Sequence, residues 1–175
     1  MSVPFDVVFH GSGKKKINVF VPKSVKERGS SEGPVVFASP SLKVASCFLI
    51  EWTDSWVTML VSRNDLDRSH FEVNLVISDA DRFIREDTGG SIYLLPSKGF
   101  TYKKEIGLGI FEWAKKSTVK PFGQIDFNSS VEAMRKFGVK LHFMNQEQYK
   151  YFVSLNGKEQ SQLLRRVRRS IKERK

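Results

Sequence analysis

The sequence predicts an α+β fold built on a largely antiparallel sheet. Three observations lead there. Six to eight short β-prone runs are interspersed with three or four helical stretches. The strand-like runs dominate the middle of the chain and do not alternate regularly with long helices, as a doubly wound parallel sheet would require. Finally, 175 residues, 40% of them hydrophobic and with 14 Phe, are enough to bury a core. The chain divides, on this reading, into a domain over 1–145 and a helical, basic extension over 146–175.

The elements follow in order. Phe5 to Phe9 is a β-prone run, ended by His10-Gly11-Ser12-Gly13. Ile17 to Val21 is a second run, and the polar, glycine-bearing stretch from Lys23 to Gly33 reads as a surface loop. Val35 to Ala38 is a short apolar strand. Ser39-Pro40 offers an N-cap and a proline at the first helical position, so a helix is expected to start there, with Leu42, Ala45, Phe48 and Leu49 on one face. Trp56 to Val61 is strand-like. Phe71, Val73, Leu75 and Ile77 fall at period two, as on a half-buried strand. Ser91 to Leu95 and Phe122 to Phe127 are further strands. Ser129 with Glu132 has capping-box spacing and Gly138 suits a helix C-terminus, placing a helix over 130–137. A last strand is expected over 139–143. The chain beyond Gln146 reads as helical, with a break near Asn156-Gly157.

Composition narrows the function classes. No run of eighteen apolar residues occurs, which predicts no transmembrane helix, and no secretory signal is visible at the N-terminus. A single cysteine excludes an internal disulfide framework and a cysteine-based zinc site, and the expected compartment is cytoplasmic. Three scattered histidines form no metal constellation, so no metal is expected. The net charge is +10, from 29 Lys and Arg against 19 Asp and Glu. Residues 158–175 hold eight of those bases and two of the acids, so most of the basicity belongs to the C-terminal segment.

Four stretches bear on chemistry. His10-Gly11-Ser12-Gly13-Lys14 does not fit a phosphate-binding P-loop, because the upstream glycine and the Ser/Thr after the lysine are missing and a β-prone run follows. A histidine at a strand end beside glycines can instead meet a flat ligand closely, with an imidazole available to a hydroxyl. Val35 to Phe48 has the shape of a strand opening into a capped helix, which sets an aromatic and a hydroxyl beside a cleft, although a lone Phe is usually core. Glu112 stands between Phe111 and Trp113 after a glycine-rich approach, where a carboxylate can be tuned for binding or catalysis. Along the tail, Leu163, Leu164, Val167 and Ile171 share one helical face, while Arg165, Arg166, Arg168, Arg169 and Lys172 occupy the others. These basic faces can contact phosphates, an anionic membrane surface or an acidic protein, or stay solvated while the leucines dock. His70 and His142 read as exposed, the Asp65/Asp67 and Asp79/Asp81 pairs as caps, and Cys47 as an inert buried thiol.

Three of these segments, in this order, resemble the ADP-ribosyltransferase superfamily and in particular its histidine–tyrosine–glutamate branch. His10-Gly11-Ser12 corresponds to the branch's His-Gly-Ser/Thr element. Val36-Phe37-Ala38-Ser39-Pro40 is similar to its strand ending in an aromatic before a helix, with Phe37 or Val36 in the slot usually held by Tyr. Glu112 or Glu105 matches the carboxylate of the third element. Lys115 to Pro121 also resembles small bacterial and phage members, the rifamycin-modifying type among them. The likeness spans roughly residues 5–145 and implies a split, two-sheet β-core that uses NAD as substrate. It further implies that His10 holds a ribose hydroxyl, that Gly11 and Ser12 belong to the cofactor site with the Gly11 backbone on the carboxamide, and that Phe37 stacks on nicotinamide. Ser39 would line the pocket and Glu112 would steady the oxocarbenium-like centre as ADP-ribose passes to an acceptor. A non-enzymatic module of the same fold, binding nucleic acid or protein through its basic helix, is the alternative.

Overall fold

A computed structural model describes residues 6–24, 33–51, 55–64, 67–101 and 111–172. Its elements are, in chain order, β1 (Val7–Ser12), β2 (Val36–Ala38), α1 (Leu42–Ser46), β3 (Val57–Asn64), β4 (Asp67–Ile77), α2 (Ala80–Arg85), β5 (Gly90–Pro96), β6 (Trp113–Lys115), β7 (Gly123–Phe127), α3 (Ser130–Lys136), β8 (Lys140–Phe143), α4 (Gln146–Ser154) and α5 (Gly157–Lys172). The chain is α+β with largely antiparallel sheets and a few short helices, as its patterning predicts. It forms two compact units that interleave in sequence: Met1–Glu51 with Glu86–Gly138, and Trp52–Arg85 with Val139–Lys175. The boundary expected at residue 145 falls inside the second of these.

In the first unit, β1, β5 and β7 make an antiparallel sheet in the order β1-β5-β7, and β2 pairs antiparallel with β6. The two meet at one bridge, where Phe9 and Ser39 exchange backbone hydrogen bonds of 2.7 and 2.8 Å. Side chains alternate across the first sheet. Val8, Tyr93 and Leu95 pack on one face with Phe20, Phe100 and Trp113, while Phe9, Ile92 and Phe127 pack on the other with Ala45, Leu49 and Ala133. The Tyr93 hydroxyl, fully buried, donates to the Lys14 carbonyl at 2.8 Å and accepts from the Ile17 amide at 3.0 Å, which fastens the segment after β1. Ile17 to Val21 does not form a strand; only Phe20 bridges, to Val119.

The first helix corrects one expectation. Ser39 is not its N-cap, because the Ser39 backbone is drawn into the bridge with Phe9. Ser41 caps instead, its hydroxyl accepting from the Val44 amide, and α1 spans Leu42–Ser46. Ser129 caps α3 as predicted by accepting from the Glu132 amide, and Gly138 ends it at φ 76°, a conformation that costs any other residue.

In the second unit, β4 is the central strand, antiparallel to β3 and parallel to β8. Val76 packs with Tyr149, Phe152 and Leu164 from α4 and α5. Asn145 and Gln148 form a complete capping box at the start of α4, and Asp79 caps α2 through the Arg82 amide. Among the described residues no helix is long and apolar enough to cross a membrane.

Candidate functional site

Beyond the Phe9–Ser39 bridge, β1 and β2 part. Because Phe9 turns its backbone groups to Ser39, strand alternation turns those of His10 to Tyr93 on β5 and those of Gly11 back to the side that Phe9 faces. A cavity of about 230 Å³ lies at this divergence. It is lined by Phe9, His10 and Gly11 of β1, Phe37 and Ala38 of β2 with Ser39, Val44 and Ala45 of α1, then Phe48, Phe111 and Glu112. The lining is mainly apolar, and the volume is below the roughly 300 Å³ at which pockets for drug-sized ligands begin. It suits one ring-sized group.

His10 is fixed from two sides. Its Nδ1 lies 2.6 Å from the Phe37 carbonyl oxygen, and its ring sits 4.4 Å from that of Phe20. A carbonyl only accepts, so Nδ1 carries the proton and Nε2 of the neutral ring is an acceptor. Burial pushes the His10 pKa below its ordinary value; the Phe37 carbonyl opposes this, and the charge of Lys23 adds to it. A hydroxyl in the cavity would therefore donate to this imidazole.

Gly11 is glycine for a steric reason. A Cβ there would overlap the Ala45 carbonyl oxygen and stand 2.9 Å from its carbon, so only glycine lets β1 approach α1 this closely. On β2, Phe37 lines the cavity, whereas Val36 is buried in the core with Val8 and Phe20. The carboxylate-bearing Glu112 does not lie on a strand. It precedes β6 by one residue, directly after buried Phe111. Segments 100 residues apart in sequence thus supply one hollow. No protein-family model, curated protein or solved structure matches the chain.

Of the expected site residues, His10, Gly11, Phe37, Ser39 and Glu112 share the cavity. Ser12 is not among its lining residues; its hydroxyl accepts from the Lys14 amide. Glu105 lies outside the described residues. Arg165 and Arg166 are exposed on α5 in the second unit. The helix continues through Arg168, Arg169 and Lys172, whose side chains lie outside the described residues, as does that of His70. His142 is half-buried rather than exposed, because its Nε2 meets the Asn74 side chain at 3.0 Å. Cys47 is fully buried and its thiol is pushed up to about 12 by that burial, so no nucleophile is available there.

Sequence reasoning missed Phe9, Phe48 and Phe111 as parts of the site. The signal for two of them was adjacency, since Phe9 precedes His10 and Phe111 precedes Glu112, and for Phe48 it was its place on the apolar face with Leu42 and Ala45.

Proposed function

We propose that the first unit binds the nicotinamide end of NAD in this cavity and transfers ADP-ribose to an acceptor nucleophile. The observation that carries the reading is the convergence of His10, Phe37 and Glu112 on one small, mainly apolar hollow. Phe37 offers an aromatic surface to the pyridinium ring, and the neutral His10 Nε2 accepts a hydrogen bond from a ribose hydroxyl. The Gly11 amide and carbonyl, turned away from β5, suit the complementary groups of a carboxamide. In the reaction the bond between ribose C1′ and the pyridinium nitrogen breaks, and its electron pair leaves with neutral nicotinamide. The acceptor attacks C1′ and gives up its proton to solvent water. Positive charge grows on the ribose as the bond lengthens, and a carboxylate held beside it, that of Glu112, stabilises that charge.

Release of nicotinamide from labelled NAD tests the proposal. The wild-type chain should release it in the presence of acceptor, and Glu112→Gln should lower the rate by about 100-fold or more, the scale of losing one preorganised electrostatic contact. Equal rates for the two, or no release by the wild type, would remove the transferase.

A second reading rests on α5. Leu164 is buried while Arg165 and Arg166 beside it are exposed, so the helix docks by its leucines and offers cations outward. A polyanion such as nucleic acid fits that face, and its affinity should then fall steeply with salt.

A further inference from the structure

The cavity carries more aromatic rings than positioning one flat ligand requires. Phe9, Phe37, Phe48 and Phe111 all line it, and Glu112 lines it with them. Among the described lining residues there is no lysine or arginine, and the only other titratable group is His10. Phenyl rings present negative quadrupole faces, and a cation removed from water against several of them gains most when a carboxylate lies in the same enclosure. A neutral ring of the same shape gains only the burial of its apolar area.

We infer that this hollow is a charge-selective cage for an alkylated pyridinium, taking the cationic ring in preference to its neutral counterpart. The inference rests on the NAD proposal for the identity of the ring, but it specifies which form is held. Burial favours the neutral His10 imidazole, so among the described lining residues the one formal charge is the negative carboxylate of Glu112, while the charge of Lys23, outside the lining, is felt at His10. The consequence for turnover is direct. The ring is held while charged and loses its charge at the moment the glycosidic bond breaks. Neutral nicotinamide is then the weaker ligand and leaves the hollow more readily than the charged ring does.

Titration of the full chain with 1-methylnicotinamide, nicotinamide and tetramethylammonium, followed by calorimetry, decides the matter. The cation 1-methylnicotinamide should bind at least about 10-fold more tightly than nicotinamide, a difference within the range of a desolvated cation–π contact. Glu112→Gln should narrow that ratio, and Phe37→Leu should narrow it while leaving nicotinamide itself the less affected ligand. Circular dichroism spectra of both variants, compared with the wild type, read folding separately from binding. Equal affinities for the charged and neutral rings, or tighter binding of tetramethylammonium than of 1-methylnicotinamide, would overturn the cage. Charge selectivity without NAD turnover would remove the transferase and leave the cage standing. Turnover without charge selectivity would do the reverse.

Discussion

His10 Nδ1 and the Phe37 carbonyl oxygen, 27 residues apart in sequence, lie 2.6 Å from each other. This bond ties β1 to β2 just past the point where their backbones separate, and it sets the imidazole tautomer. One contact therefore shapes the cavity wall and leaves Nε2 an acceptor.

Stability should depend on pH through that histidine. Its folded pKa lies below the ordinary 6.5, so between the two values the unfolded chain binds the proton and the folded chain does not. Stability is thus expected to fall as pH drops from about 6.5 through the folded value. Burial lowers this pKa, the Phe37 carbonyl works against it, and the positive charge of Lys23 adds to the lowering. Urea denaturation at several pH values should show a flatter profile for His10→Gln; identical slopes would contradict the burial of a neutral imidazole.

Gly11→Ala should destabilise the first unit by about 1–3 kcal/mol, because the added methyl must push β1 and α1 apart. Thermal unfolding would register this as a lowered midpoint. An unchanged midpoint would mean that β1 and α1 are not in close contact.

Several elements were legible because their signals are local. Ser129, Glu132 and Gly138 bracket α3, and the break at Asn156-Gly157 separates α4 from α5, all within a few residues. What failed was set by partners far along the chain. Ser39 has good capping chemistry, but Phe9 claims its backbone, so the cap moves to Ser41. His142 reads as exposed until Asn74 is brought beside it, and nothing local announces that β8 lies parallel to β4. The cavity followed the same division. His10, Gly11, Phe37 and Glu112 carry chemistry that can be read from residue type, whereas Phe9, Phe48 and Phe111 look like any core phenylalanine until the fold turns them to one hollow.

Leu164→Ala should cost about 2–5 kcal/mol, the range for truncating a buried leucine, because Leu164 packs with Val76, Tyr149 and Phe152. A disposable tail would behave otherwise. Denaturant midpoints for this variant, beside those of Arg165→Ala at a neighbouring exposed position, separate the two cases.

Cys47 should resist thiol reagents in the folded chain at pH 8, since its thiol, pushed up to about 12, is almost wholly protonated and buried. Colourimetric thiol titration should show reaction only after denaturant is added. Rapid labelling of native protein would contradict the packing around the end of α1.

The central claim is that the hollow between β1 and β2 receives a nicotinamide ring. Chemical-shift mapping of the isotope-labelled chain during a nicotinamide titration tests it most directly. Saturable shifts should centre on the amides of His10, Gly11, Phe37 and Glu112 and fade with distance from them. Unmoved amides at millimolar ligand, or shifts gathered on some other surface, would contradict it.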